Sequence, residues 1–315
     1  MNTEITNAVA AADDKAQYDE KAKRLLGHKS ILAHILVHTV DEFKGMDPKE
    51  VVTYIEGEPL ISTVPVEPGL TNEKTGDRVV GFNSENVEIN EGMVRFDIVF
   101  YVRMKDGLSQ IIVNIEAQKD EPTEYHILNR AIFYVCRLVS SQKERDFSNT
   151  NYDDIKSVHS IWICMNMPEN SMDYFHLTND KVLGSYQWGG KQDMLNIVLI
   201  GLSRDLPEQD EKYELHRLLC ALLSQKLTQS EKLNIIEKEY DIPLEDNIRK
   251  DVSVMCNLSQ GIVDETRAET RAETKAEIIM NMYENNFTVQ QISLATKQSV
   301  EEVEGIIKEH KSVLV

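Results

Sequence analysis

VRFDIVFYVR (94–103) and QIIVNIEAQ (110–118) are the two stretches whose reading decides the fold. Both are rich in β-branched and aromatic residues, and MKDG (104–107) between them has turn chemistry, so the pair predicts a β-hairpin. Side chains alternate along a strand. Val94, Phe96, Ile98, Phe100 and Val102 then form one face of the first strand, and Arg95, Asp97, Val99 and Tyr101 the other. In the second strand Ile112, Asn114, Glu116 and Gln118 share a face, opposite Ile111, Val113, Ile115 and Ala117. Asp and Glu are poor strand residues, yet Asp97 sits mid-strand and Glu116 near the end of its neighbour. In a suitable register the two carboxylates converge, and they repel unless a cation or a proton lies between them. An all-oxygen donor set suits a hard cation such as magnesium or manganese. The plainer alternative is that Asp97 pairs with an arginine and Glu116 ends its strand at solvent.

Working outward, EYHILNRAIFYVCRLVSSQ (124–142) predicts a helix with Ile127, Ala131, Tyr134 and Leu138 in register. VHSIWICM (158–165) is apolar nearly throughout, as in a strand buried on both faces, and LNIVLIGLS (195–203) reads the same way. Residues 16–46 predict helix, with Leu32, Ile35, Leu36, Thr39 and Phe43 on one stripe. Asp47 and Pro48 start a further short helix. Residues 57–92 are rich in Pro, Gly, Asn and Glu and read as a long loop holding one short strand near 78–82. Residues 207–242 read as helical up to Pro243. The repeat ETRA ETRA ETKA (265–276) has no apolar seam, so it predicts a solvated helical spacer and not a coiled coil. Residues 277–310 read as three short helices, with Thr288 and Ser299 as N-caps.

Thirty-four Lys and Arg against fifty-three Asp and Glu give a net charge of −19, which argues against a protein that binds nucleic acid over its whole surface. Across 94–150, however, eight basic residues face eight acids, so the charge lies in the flanks. Four widely spaced cysteines with no C-x-x-C pair fit neither a zinc module nor a disulfide framework and point to a reducing, cytoplasmic setting. No apolar run has membrane-spanning length, and the N-terminal residues lack the pattern of a signal peptide. His34, His38 and Glu42 fall at i, i+4 and i+8 on a helix, a conceivable zinc row that a polar helix flank explains equally well. WGGKQ (188–192) lacks P-loop spacing, and no G-x-S-x-G elbow is present.

RFDIVFY, IIVNIEAQKD and NRAIFY together resemble the PD-(D/E)XK nuclease superfamily. They are most similar to its branch of transposase-associated nucleases, related to the recombination-promoting nucleases. YDEKAKRLLGHKSILAHIL (18–36), IEGEPLISTVPVEPGLTN (55–72), SNTNYDDIKSVHSIWICMNMP (148–168) and EKLNIIEKEYDIP (231–243) extend the similarity over roughly residues 17–260. The resemblance implies an α/β, restriction-endonuclease-like core: a mixed central sheet of about four strands flanked by helices, with a small all-helical C-terminal unit beside it. With the composition of the two ends and the repeat, this divides the chain into a disordered 1–15, a nuclease-like domain 16–260, a charged spacer 261–277 and a helix-turn-helix-like unit 278–315. Asp97 and Glu116 match the motif acids and would hold Mg2+ or Mn2+ with the Ala117 carbonyl. Gln118 stands at the Lys position of E-x-K; it can orient a water but supplies no charge. Lys119 follows and is expected to contact substrate, although in a regular strand it points to the opposite face and is no automatic substitute for the motif Lys. Arg130 and Tyr134, at i and i+4, would contact a phosphate, unless Arg130 simply pairs with an acid. Asp41 or Glu42 could add an acid from the first helix. The expected activity is metal-dependent hydrolysis of DNA phosphodiester bonds linked to transposition or recombination, with oligomerisation through the C-terminal helices. The alternative is a catalytically degenerate nuclease fold that binds DNA or a protein.

Overall fold

A computed structural model describes residues 17–66, 94–106, 110–118, 122–143 and 145–313; within these, the side chains of 62–66, 94–95, 110, 258–273 and 309–313 lie outside the description. The expected strand near 78–82 and Lys119 also lie outside the described residues. The elements fall into two compact units, Ala16–Cys256 and a second holding Asn257–Val315.

The first unit is built on one mixed sheet of six strands: β1 (Ile55–Val66), β2 (Val94–Arg103), β3 (Gln110–Gln118), β4 (Val158–Met167), β5 (Ser171–His176) and β6 (Leu195–Ser203). Their order is β1-β2-β3-β4-β6-β5. β1, β2 and β3 pair antiparallel, β3, β4 and β6 run parallel, and β5 pairs antiparallel with β6. The expectation of about four strands is corrected to six. The four strands read from sequence are the inner ones, and the two additions are the edges. β1 contains Pro59 and a Gly57 with φ +58° at an irregularity between Glu56 and Leu60. Proline removes a ladder donor and is tolerated at an edge or a bulge, so this stretch has loop composition and strand geometry.

Helix 17–26 (α1) breaks at Gly27–His28, and α2 (Lys29–Thr39) ends before a 3-10 turn at Asp41–Phe43, so 16–46 is not one helix. α3 (Pro48–Val51) starts as expected, with the Asp47 side chain accepting from the Lys49 N–H at 2.9 Å. α4 (Ile127–Ser140) joins β3 to the parallel β4. It buries Ile127, Ala131, Val135 and Leu138 in one core with Ile112, Trp162, Cys164, Val99 and Tyr101. The alternate residues Ile98, Phe100, Ile111, Val113 and Ile115 are buried as well, so the sheet is covered on both faces. Residues 207–242 hold two helices, α5 (Glu214–Leu223) and α6 (Gln229–Lys238), the second opened by a Thr228–Glu231 capping box. None of the helices among the described residues is long and apolar enough to cross a membrane.

α7 (Asp246–Glu284) absorbs the repeat and the first of the three expected C-terminal helices into one 39-residue helix. In the second unit Ile279, Ile292, Val303 and Ile307 of α7, α8 (Val289–Thr296) and α9 (Val300–Val313) form a small core. Thr288 caps α8, and the Ser299 hydroxyl accepts from the Glu302 N–H at the start of α9.

Candidate active site

Asp97 and Glu116 meet where the β2–β3 ladder stops. The last paired residues are Ile98 and Ile115. One step further, side chains replace the ladder bonds. The Asp97 N–H donates to Glu116 Oε1 at 3.1 Å, and the Ala117 N–H donates to Asp97 Oδ2 at 3.0 Å. Each strand thus holds the other's carboxylate. The strand also changes face here: Phe96 packs in the same core as Val99 and Tyr101, which strict alternation forbids for residues three apart. The irregularity lets an Asp leave the apolar pattern of β2 and turn toward Glu116.

The pair is electrostatically costly. Glu116 is only 3% exposed. Burial, and then the charge of Asp97, push its carboxyl well above the usual carboxylate range, against the pull of the Asp97 N–H, Arg130 and Lys23. Burial also raises Asp97, offset chiefly by its bond to Lys23. Lys23, on α1, places Nζ 2.9 Å from Asp97 Oδ1 and 2.5 Å from Asp19 Oδ2. Burial opposes its charge, but the two carboxylates outweigh that and raise its pKa.

Arg130 closes the other side. Its Nη2 donates to the Tyr134 hydroxyl at 2.8 Å, and its Nη1 to the Tyr125 hydroxyl at 2.9 Å and to Gln118 Oε1 at 3.4 Å. The guanidinium lies 4.9 Å from the Tyr134 ring centre and 5.4 Å from that of Trp162. An arginine has no acceptor, so Gln118 presents its amide oxygen to Arg130. Arg130 is seated by phenols, an amide and ring faces, an arrangement the two alternatives of phosphate contact and simple acid pairing did not include. Tyr134 is itself fixed edge-on to Phe96 and Trp162, at 5.0 and 5.3 Å between ring centres.

The structure therefore gathers Asp97, Glu116, Ala117, Gln118, Arg130 and Tyr134 at one place. Asp41 and Glu42 are elsewhere: Asp41 pairs with Lys44, and Glu42 accepts from the Lys105 N–H. The acid that α1 brings near the pair is Asp19. The His34–His38–Glu42 row is broken because α2 ends at Thr39. His34 stacks edge-on against Tyr240, while His38 bonds the His34 carbonyl and faces Glu214 at 3.5 Å. Asp19 and Lys23 were missed by the reading of the sequence, where an i, i+4 Asp–Lys pair looks like any solvated helix face. Their only distinguishing mark is their position within YDEKAKRLLG.

Among the described residues no three His, Cys, Asp or Glu side chains form a ready-made cage for a metal. The donor set still fits a hard divalent cation. Two carboxylates, Glu116 buried and Asp97 half-buried, meet with raised pKa values, and magnesium in particular is held by one or two carboxylates with the rest of its shell from water and phosphate. A separate cavity of about 630 Å³ is lined by Arg24, His28, His34, Tyr240 and Asp251 among others, and by none of the residues of the carboxylate site. Compared with protein-family models, with curated proteins and with solved structures, the chain finds no match.

Proposed function

We propose that this chain is a metal-dependent endonuclease that hydrolyses DNA phosphodiester bonds, on a PD-(D/E)XK-type core related to the transposase-associated branch. The observation that carries the reading is the Asp97–Glu116 pair. The Glu116 carboxylate accepts from the Asp97 N–H and the Asp97 carboxylate from the Ala117 N–H, with Glu116 buried and Asp97 half-buried, at the end of β3. Burial raises the pKa of both carboxyls against the pull of Lys23, and perturbed carboxylates of this kind mark functional sites. In this reading Asp97 and Glu116 hold Mg2+ or Mn2+, with the Ala117 carbonyl as a third donor. When bound, the cation would supply Lewis-acid polarisation of the phosphoryl group and stabilise the charge that grows on phosphorus. Gln118 orients the attacking water. Arg130 holds a phosphate oxygen through its fork of donors, its plane fixed by Tyr134 and Trp162. The near-neutral stretch 94–150 lets a polyanion approach a protein of charge −19, so binding should be modest and salt-sensitive.

The test is incubation of the full-length protein with supercoiled plasmid and Mg2+, beside Asp97→Ala. The expected result is nicking by the wild type, absent with EDTA and lost in the variant. Equal nicking by both proteins removes Asp97 from the mechanism. DNA binding without cleavage under any divalent cation would favour the alternative, a degenerate nuclease fold used for binding, which the neutral Gln118 motivates.

A further inference from the structure

Resting on the reading of the carboxylate pair as a nuclease centre, we infer that Lys23 of α1 is the cationic positioning residue of this site, supplying from a helix the charge that Gln118 does not supply from β3. Four observations lead there. Lys23 Nζ lies 2.9 Å from Asp97 Oδ1, while Asp97 Oδ2 takes the Ala117 N–H at 3.0 Å. Both oxygens of Asp97 are therefore engaged, and its carboxylate is fixed about its own axis. Lys23 is in turn held by Asp19, one helical turn earlier, at 2.5 Å. The Lys23 side chain is only 13% exposed, so this is not a surface ion pair of the kind that contributes little. Finally, the groups on β3 that stand closest to Glu116 in sequence, Ala117 and Gln118, are neutral.

A consequence follows for metal binding. The oxygen of Asp97 that Lys23 occupies is the one not committed to the backbone, so it is the oxygen a divalent cation would take. Ammonium and metal compete for it, and like charges a few ångströms apart in a buried site repel strongly. With a cation bound there, the Lys23 ammonium would be displaced from Asp97, and its charge would be free to stabilise a transition state at phosphorus. Removing the charge should have opposite effects on the two steps: the cation binds more tightly, and the chemistry slows. A residue with a merely structural role would lose both, and a bystander would change neither.

The experiment uses full-length wild type, Lys23→Met and Lys23→Arg. Mn2+ affinity is measured by calorimetry, plasmid cleavage in saturating Mn2+, and folding by thermal melts in EDTA. Lys23→Met should bind Mn2+ several-fold more tightly and cleave about a hundredfold more slowly, the scale seen when one charge-stabilising donor is removed. Lys23→Arg keeps the charge and should keep wild-type affinity and part of the cleavage. If Lys23→Met does not fold, Lys23→Gln carries the same two expectations. Mn2+ affinity that is unchanged or weaker, or cleavage equal to wild type, overturns the inference and leaves the nuclease reading standing. Absence of Mn2+-dependent cleavage by the wild type overturns the nuclease reading and this inference with it.

Discussion

At the scale of the residue, the carboxylate of Glu116 works against the fold that holds it. Its raised pKa means that this environment disfavours the charged form relative to water, through burial first and then the charge of Asp97. Glu116→Gln keeps an acceptor for the Asp97 N–H and removes a buried like charge. The variant should be more stable than wild type by about 1 kcal/mol in urea unfolding without metal; a loss of stability would mean that the charge itself is needed to hold the strands. Two histidines make a pH prediction. His34 and His159 are buried, each with an Nδ1 lacking a partner, and burial lowers both to about 4 from an ordinary 6.5. Between those values the unfolded chain takes up a proton at each histidine and the folded chain does not. Stability therefore falls as pH drops from 6.5 toward 4, by up to about 1.4 kcal/mol per pH unit for each group. Urea midpoints at pH 7.5 and pH 5 measure this, and His159→Gln should flatten the slope. Asp97 and Glu116 were legible because an acid in an apolar strand stands out against its pattern, whereas Gln118 and Arg130 were singled out through the resemblance to the nuclease motif. Lys23 was not. Its partner is 74 positions away, and nothing in a helix rich in Asp, Glu and Lys marks one lysine as buried.

At the scale of the element, legibility followed burial. β2, β3, β4 and β6 sit inside the sheet and carry apolar runs that leave no other reading. β1 and β5 are its edges. β5 (SMDYFH) exposes most of its length, and β1 contains Gly57 and Pro59, so neither has the composition of a strand. Edge strands are selected partly for not pairing further, which erases the pattern that identifies them. The helical reading of 16–46 holds over 17–26 and Lys29–Thr39, with a break that the sequence reading did not place, because Gly27 interrupts a stretch whose apolar periodicity continues on the other side. α4 is the element on which the site depends most, since it carries Arg130 and Tyr134 and seats them against the sheet. Leu138, fully buried at its far end, anchors that seat. Leu138→Ala should cost about 2–5 kcal/mol in urea unfolding, the range for a leucine truncated in a packed core. A cost well below 1 kcal/mol would mean that α4 is not held by this core.

At the scale of the whole molecule, the boundary after Cys256 makes a prediction about truncation. Ile248, Val252 and Met255, on the first turns of α7, are buried residues of the first unit. A chain ending at 260 keeps them and should unfold cooperatively, with its metal response intact. A chain ending at 244 loses three buried apolar side chains, about 5–9 kcal/mol of burial and comparable to the stability of an entire domain. It should not fold. Equal melting of the two fragments would show that α7 contributes nothing to the first unit. The helical character of the C-terminal residues was legible from their caps and apolar spacing, whereas the continuity of α7 through the repeat was not, because ETRA repeats carry no apolar stripe that distinguishes a long helix from a spacer. The central claim, that the Asp97–Glu116 pair is a cation-dependent centre for cutting DNA, is tested most directly by a time course of plasmid nicking. Wild type and Glu116→Gln are compared at equal concentration in Mg2+. The account predicts nicking by the wild type and a loss of about a hundredfold or more in the variant, although the variant is the more stable protein. Equal rates for the two would contradict it.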